Sequence, residues 1–265
     1  LPESESLPFL HPDRVGVPYR GKALGPEGAL AEMAGRDSVG AVVVLAREGG
    51  LERVLPAIAY TGTEYGDLGS LHSNTAWLRS LLHPLGVEVM EPVVIGSPLW
   101  WGATIGRVNS VLARRYGPWH ICIGCHMYLH AVRVPLAWRA GAERLVAGER
   151  LGHGGRIKIN QIRPAVEAYR RVLGEWGIKL EMPLLEVDED ADIVALTGDW
   201  EEGGRQPGCV LSGNYREIGG EPVFDPERVR AYLEEYLVPA TSHILAALRD
   251  GGRVDYAAVV EEVLG

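Results

Sequence analysis

Apolar residues along the chain fall into short blocks separated by Gly, Pro and polar turns, and the blocks alternate between two kinds. Residues 29–33 form a compact run that predicts a buried strand, and 38–47 are apolar enough for a buried helix closed by Gly49 and Gly50. The run 55–60 predicts a strand feeding the turn-rich stretch 61–66. Leu71, Leu78, Leu81 and Leu82 share one side of an amphipathic helix over 71–85, and 87–95 reads as a strand before an aromatic loop at 97–101. Helical patterns follow over 107–116 and, despite Pro135, over 129–140. The pattern then gives a strand at 144–147, a helix at 163–176 and a strand at 179–185. Helices at 225–237 and 241–248, with a further one at 256–263, close the chain. Such alternation predicts an α/β fold, a mostly parallel sheet flanked by helices, with a C-terminal helical extension. Ligands in such sheets sit at the carboxyl ends of the strands.

Composition narrows the class. With 46% apolar residues in 265, the chain can bury a sizeable core, which excludes disordered and fibrous classes. Its length fits one large domain, or one with a smaller appendage. The 26 basic and 35 acidic residues leave a net charge of −9, which argues against holding nucleic acid by bulk charge alone. The longest apolar run, 39–46, is far short of the roughly 20 residues that span a bilayer, so no membrane partner is expected. No basic start followed by an apolar run marks a signal peptide. Three cysteines do not make a disulfide scaffold, and they predict a reducing, cytoplasmic compartment.

Three segments carry candidate chemistry. Met33-Ala34-Gly35-Arg36-Asp37-Ser38 lies between a predicted strand and helix, where free backbone N–H groups and the helix dipole favour a phosphate. Asp37 suits a magnesium ion and Ser38 a phosphate oxygen; the plainer reading is that one of them caps the helix. No Walker A pattern is present. Cys122-Ile123-Gly124-Cys125-His126 sets two thiols at metal-ligand spacing, with Gly124 read as permitting a tight turn. Cys209 supplies a third thiol. Together they suit either zinc, with His126 or His130 as fourth ligand, or an iron–sulfur cluster with one open iron. A redox pair with an ordinary buried Cys209 is the alternative. Residues 148–161 gather Glu149, Arg150, His153, Arg156, Lys158, Asn160 and Gln161 among glycines, suiting an anionic ligand or substrate better than a solvated loop.

In this order the segments resemble the PP-loop ATP pyrophosphatases, or adenine nucleotide alpha hydrolases, which open with Ser-Gly-Gly-x-Asp-Ser. Gly35, Asp37 and Ser38 match that motif, while Met33 and Ala34 depart from it. Tyr60, Thr61 and Gly62 resemble the end of the family's second strand, beside the adenine. Gly148 and Glu149 stand where a Gly-His pair is more usual. The resemblance implies a PP-loop/HUP-like domain over 29–215, preceded by a wrapping segment at 1–28 and followed by a helical extension at 216–265. It implies ATP and Mg2+ as ligands, with Ala34, Gly35, Arg36, Asp37, Ser38, Tyr60, Gly148 and Glu149 around the nucleotide. Asp37, Lys158 and Arg150 would then serve catalysis, and His153, Arg156, Asn160 and Gln161 would face the substrate. Cys122, Cys125 and Cys209 resemble the set with which some tRNA-thiolating members hold a 4Fe–4S cluster.

The implied activity is adenylylation of a carbonyl with pyrophosphate release, then sulfur transfer. The implied partners are a tRNA or a small heterocyclic substrate, a sulfur donor and a second copy of the chain. Two alternatives remain: an amide- or nitrile-forming ligase with structural Zn2+, and a non-catalytic zinc-stabilised binding module. Arg114-Arg115, Arg170-Arg171, Trp100, Trp101 and Trp119 are weaker nucleic-acid candidates, for which solvation and packing are the commoner explanations.

Overall fold

The computed structural model describes Val15 and residues 19–66, 69–198, 207–251 and 253–265. Most of the expected N-terminal wrapping segment, and 201–206 before Cys209, lie outside the described residues. The strands are β1 (Gly28–Glu32), β2 (Arg53–Tyr60), β3 (Glu64–Tyr65), β4 (Glu88–Val89), β5 (Val93–Gly96), β6 (Arg144–Val146), β7 (Lys179–Glu181) and β8 (Gly208–Cys209). Between them run α1 (Arg36–Glu48), α2 (Gly69–Leu82), α3 (Pro98–Trp101), α4 (Asn109–Arg115), α5 (His120–Ala131) and α6 (Val134–Ala140). Helices α7 (Arg163–Glu175), α8 (Asp190–Thr197), α9 (Pro226–Ala231), α10 (Val238–Arg249) and α11 (Tyr256–Leu264) complete the chain.

Six strands form a parallel sheet in the order β4–β2–β1–β6–β7, with β5 also beside β2. The central strands are apolar on both faces, as a sheet covered on both sides requires. Leu30, Leu55, Ala57 and Leu145 pack with α5, α6, α7 and the C-terminal helices. Ala29, Ala31, Val54, Ile58 and Val146 face α1 and α2, with Ile193 of α8 in the same cluster. The fold is the expected α/β class. Among the described residues no helix is long and apolar enough to cross a membrane.

Three local expectations need correction. The strand expected over 87–95 is two strands, because Pro56 of β2 interrupts the ladder. Val54 accepts Met90 N–H on that side, and pairing resumes with Ala57 opposite Val93. Between them proline offers no N–H. The aromatic loop after β5 is helical: Pro98–Trp101 runs into a π-turn at Gly102–Gly106, capped by the Ser97 side chain on Trp100 N–H. Trp100 is buried there, stacked on Tyr256 and edge-on to Tyr128, and Trp119 is buried against Tyr232. Both rings are packing groups. The third correction is the C-x-x-C segment, which lies inside α5 rather than in a turn.

The chain places β2 on one side of β1 and β6 on the other. Strand order therefore reverses between β1 and β6, and a crevice opens at their carboxyl ends. The loop at 33–38 and the segment from Gly148 both start at that end.

Candidate functional site

Cys122 and Cys125 lie in the first turns of α5, and a two-stranded sheet brings in the third thiol. In it β3 pairs antiparallel with β8, with Glu64 opposite Cys209. The Glu64 carboxylate accepts hydrogen bonds from Thr61 N–H (2.7 Å), Thr61 Oγ1 (2.7 Å) and Gly62 N–H (2.8 Å), which shapes the loop after β2. Gly62 has φ +93°, a value that favours glycine. Cys209 Sγ lies 3.4 Å from Thr63 Oγ1 and accepts Leu211 N–H at 3.4 Å. Cys122 Sγ donates to Asn214 Oδ1 at 2.9 Å.

Burial, and then the neighbouring Cys209, push the Cys122 thiol up to about 12 and the Cys125 thiol in the same direction. Gly124 between them serves close packing: a Cβ there would stand 2.5 Å from the Tyr232 hydroxyl.

At the end of β1, Ser38 Oγ accepts Ala34 N–H (3.0 Å) and donates to Gly35 O (2.7 Å). Its hydroxyl therefore organises the loop itself. Asn74 of α2 anchors the loop by donating to Ala34 O at 2.5 Å. Gly35 caps α1 without a side-chain hydrogen bond, and Asp37 is the acidic residue of its first turn. Gly148 must be glycine: a Cβ would lie 2.5 Å from Asp37 C and Ser38 N. The end of β6 thus rests on the start of α1.

Arg150 is buried and spans to three acceptors. It donates to Asp37 Oδ2 (3.0 Å), Asp188 O (3.1 Å) and Asp190 Oδ1 (2.5 Å). Lys158 is half-buried near Asp37, Arg150 and Glu149, and burial lowers its pKa. Among the described residues its ammonium has no hydrogen-bond or ion-pair partner within the chain. Tyr60 is buried with its ring over Gly96, and its carbonyl accepts Tyr128 O–H at 2.9 Å.

The residues after β6 converge on α5. Glu149 Oε1 meets His126 Nδ1 at 2.8 Å and His130 Nε2 at 3.0 Å. Asn160 Nδ2 lies 2.8 Å from His126 Nε2, Gln161 donates to Glu149 Oε2, and His153 bonds Gln161 Oε1. Burial works against the Glu149 carboxylate, but the two histidines hold its pKa below the usual range. Burial likewise opposes the charged form of His126, and Glu149 raises its pKa overall. His126, the candidate fourth zinc ligand, is thus engaged by Glu149 and Asn160 instead of the thiols. Arg156 is exposed and reaches His153 O at 3.4 Å.

Several contributors carried little sequence signal. Asp188 and Asp190 sit in an acidic run that reads as solvated, and Asn214 and Thr63 become neighbours of sulfur only through the β3–β8 pairing. The four-residue spacing of His126 and His130 is a helical signal that could have been found. Of the arginine pairs, Arg115 meets Glu235 at 2.8 Å and Arg171 meets Glu234 at 2.7 Å.

No family model matches the sequence. Among solved structures, the U34-tRNA thiolase NcsA from Methanococcus maripaludis, with its 4Fe–4S cluster, is similar at TM-score 0.41 and 12% identity, over 92% of this chain and 72% of that one. The uncharacterized protein MJ0009 of Methanocaldococcus jannaschii is 35% identical over 241 residues, covering 89% of this chain and 86% of the archaeal protein. The chain belongs to the same family as MJ0009.

Proposed function

We propose that the chain is an ATP-dependent sulfur transferase that adenylylates a carbonyl of a tRNA base or small nucleobase-like substrate and replaces its oxygen with sulfur. The observation that carries the reading is the β3–β8 pairing, which brings Cys209 into the neighbourhood of Cys122 and Cys125 at the end of the sheet where the 33–38 loop also opens. Cys122, Cys125 and Cys209 would hold a 4Fe–4S cluster, and His126 is committed to Glu149, so three thiolates remain as the protein ligands. When bound, such a cluster supplies a coordination position without a protein ligand, suited to sulfide.

The chain's own groups account for the phosphate chemistry. The uncapped start of α1 and the backbone of Ala34, Gly35 and Arg36 suit the pyrophosphate, with Lys158 as a cation free to meet its charge. Asp37, held in place by Arg150, would hold Mg2+. A substrate carbonyl oxygen attacks the α-phosphorus, an O–P bond forms, and the bond to pyrophosphate breaks. Sulfide then displaces AMP from the activated carbon. The 29–215 unit would carry this chemistry, with 216–265 packed against it.

Anaerobic purification tests the metal assignment. Four irons and four sulfides per chain, with colour bleached by reductant, are expected; one zinc per chain would overturn it and favour the ligase alternative. ATP binding by calorimetry, lost in Asp37→Ala, tests the nucleotide site. Mass spectrometry of nucleosides from a deletion strain, beside small-molecule extracts, separates the two substrate classes.

A further inference from the structure

Helix α5 carries a second donor set that shares no residue with the three thiols. His126 and His130 are one helical turn apart, so they project from the same face. Glu149 enters from the end of β6. Their ligand atoms, one from each residue, all lie within 4.8 Å of one another. The imidazoles contact Oε1 at 2.8 Å and 3.0 Å, the lengths of hydrogen bonds. Ligand atoms around zinc stand roughly 3.3 Å apart for metal–ligand distances near 2.0–2.2 Å. An ion would take the place of both hydrogen bonds, with the two nitrogens moving outward from Oε1.

Polar side chains brace the set on the His126 and Glu149 side, while His130 Nδ1 is buried with no hydrogen-bond partner among the described residues. Asn160 approaches the far nitrogen of His126 at 2.8 Å, and Gln161 donates to the second oxygen of Glu149. His153 in turn fixes Gln161. These contacts fix the orientation of the His126 ring and of the Glu149 carboxylate. Asn160 and Gln161 sit on one 3₁₀ turn, Ile159–Gln161, and Tyr169 O–H ties that turn to α5 by donating to Asn160 O (3.0 Å) and Ile123 O (3.1 Å). His130 and Glu149 are 0% and 2% exposed, whereas His126 is 28% exposed. His126 is therefore the accessible member of the set. Two imidazoles and a carboxylate leave at least one coordination position for water or a substrate atom, the pattern of catalytic rather than structural zinc.

We propose that His126, His130 and Glu149 form a second metal site, which takes one divalent ion of borderline softness, zinc or ferrous iron, with a position open toward the crevice. The ion would stand beside the substrate-facing side of Lys158 and Asp37, and would offset the buried carboxylate.

Cobalt(II) titration of the chain, and of the variant Cys122→Ser/Cys125→Ser/Cys209→Ser, tests the site. Cobalt on imidazole and carboxylate gives visible d–d bands alone, whereas cobalt on sulfur adds intense near-ultraviolet charge transfer. The expected result is one equivalent bound by the cysteine-free variant with no charge-transfer band, and about 10-fold or greater weakening by Glu149→Gln or His130→Gln. No binding by the cysteine-free variant with its circular dichroism intact would overturn the proposal, as would binding that neither substitution changes. If that variant does not fold, the wild-type titration decides. A second equivalent without charge transfer that Glu149→Gln removes supports the site, and sulfur-only spectra refute it. Failure of the 4Fe–4S assignment leaves these spectra unaffected, so the two readings fail separately.

Discussion

Replacing Gly124 with alanine puts a methyl group where the structure has no room for one. Its carbon would stand 2.5 Å from the Tyr232 hydroxyl and 3.3 Å from Ile105 Cγ1. Tyr232 is fully buried, so its ring cannot swing aside. Overpacking of this kind costs about 1–3 kcal/mol, and alanine returns up to about 1 kcal/mol of helix propensity. A net loss of about 1–2 kcal/mol follows, or a Tm lower by roughly 2–8 °C for a chain of this size. The Tyr232 hydroxyl has no hydrogen-bond partner among the described residues. Tyr232→Phe should therefore be neutral or stabilising by up to about 1 kcal/mol, and it also removes the atom that meets the new methyl. The double variant Gly124→Ala/Tyr232→Phe should be at least as stable as Tyr232→Phe alone. Urea unfolding of the metal-free proteins at unchanged m-value gives the cycle, with an expected coupling of about 1–3 kcal/mol. Additivity within about 0.5 kcal/mol would refute the packing role. Metal retention by the thiols should fall in Gly124→Ala and recover in the double variant.

Gly148→Ala sets a Cβ against the backbone of Asp37 and Ser38 at 2.5 Å. It should weaken ATP binding by at least about 10-fold, with calorimetry as the check and wild-type affinity as the refuting result. Arg133 is fully buried, donates to Ala57 O and Leu129 O, and lies 3.9 Å from Glu32. Arg133→Met should cost about 3–5 kcal/mol, and adding Glu32→Gln should recover part of it in urea unfolding. The Arg150 hydrogen bond holds the Asp190 pKa below the usual aspartate range. A group with a depressed folded pKa stabilises above its unfolded value and loses that contribution as pH falls through the folded one. Asp190 is 67% exposed, so Asp190→Asn should cost at most about 0.5 kcal/mol at pH 7. The difference should vanish in acid well below about pH 4, and an effect that grows in acid would contradict the pairing.

What could be read from the sequence follows from what is local. The buried strands at 29–33 and 55–60 announce themselves because both faces of the sheet are covered, so every position along them except Glu32 is small or apolar. Helix α7 was legible from its amphipathic period. Helix α8 was not, because an acidic run precedes it and its apolar residues lack a clear stripe. The start of α5 was hidden for a different reason. Cys122-Ile123-Gly124-Cys125 looks like a metal-binding turn, and nothing nearby reveals that Tyr232, far along the chain, requires the glycine. The thiol spacing was informative, yet the means of assembling it was not, since β3 and β8 are two residues each.

One helix organises both donor sets, and its register explains why they do not merge. Cys122, His126 and His130 recur every four residues along α5, so a single stripe runs from thiol to imidazole toward the crevice. A lone metal cannot use both ends of such a stripe, because one turn rises about 5.4 Å. The partners on either side divide it. At the N-terminal end the β3–β8 pair and Asn214 close over sulfur, and one to two turns on, Glu149 and the 3₁₀ turn close over nitrogen. Glu149 is the residue that engages His126 on this side of the stripe. A histidine there could not accept from both imidazoles at one atom, as Oε1 does. Glu149→His should therefore release His126 toward Cys122 and Cys125, and remove the cobalt equivalent that shows no charge transfer. If cobalt spectra of Glu149→His match those of the wild-type chain, the carboxylate is not what keeps the two sets apart.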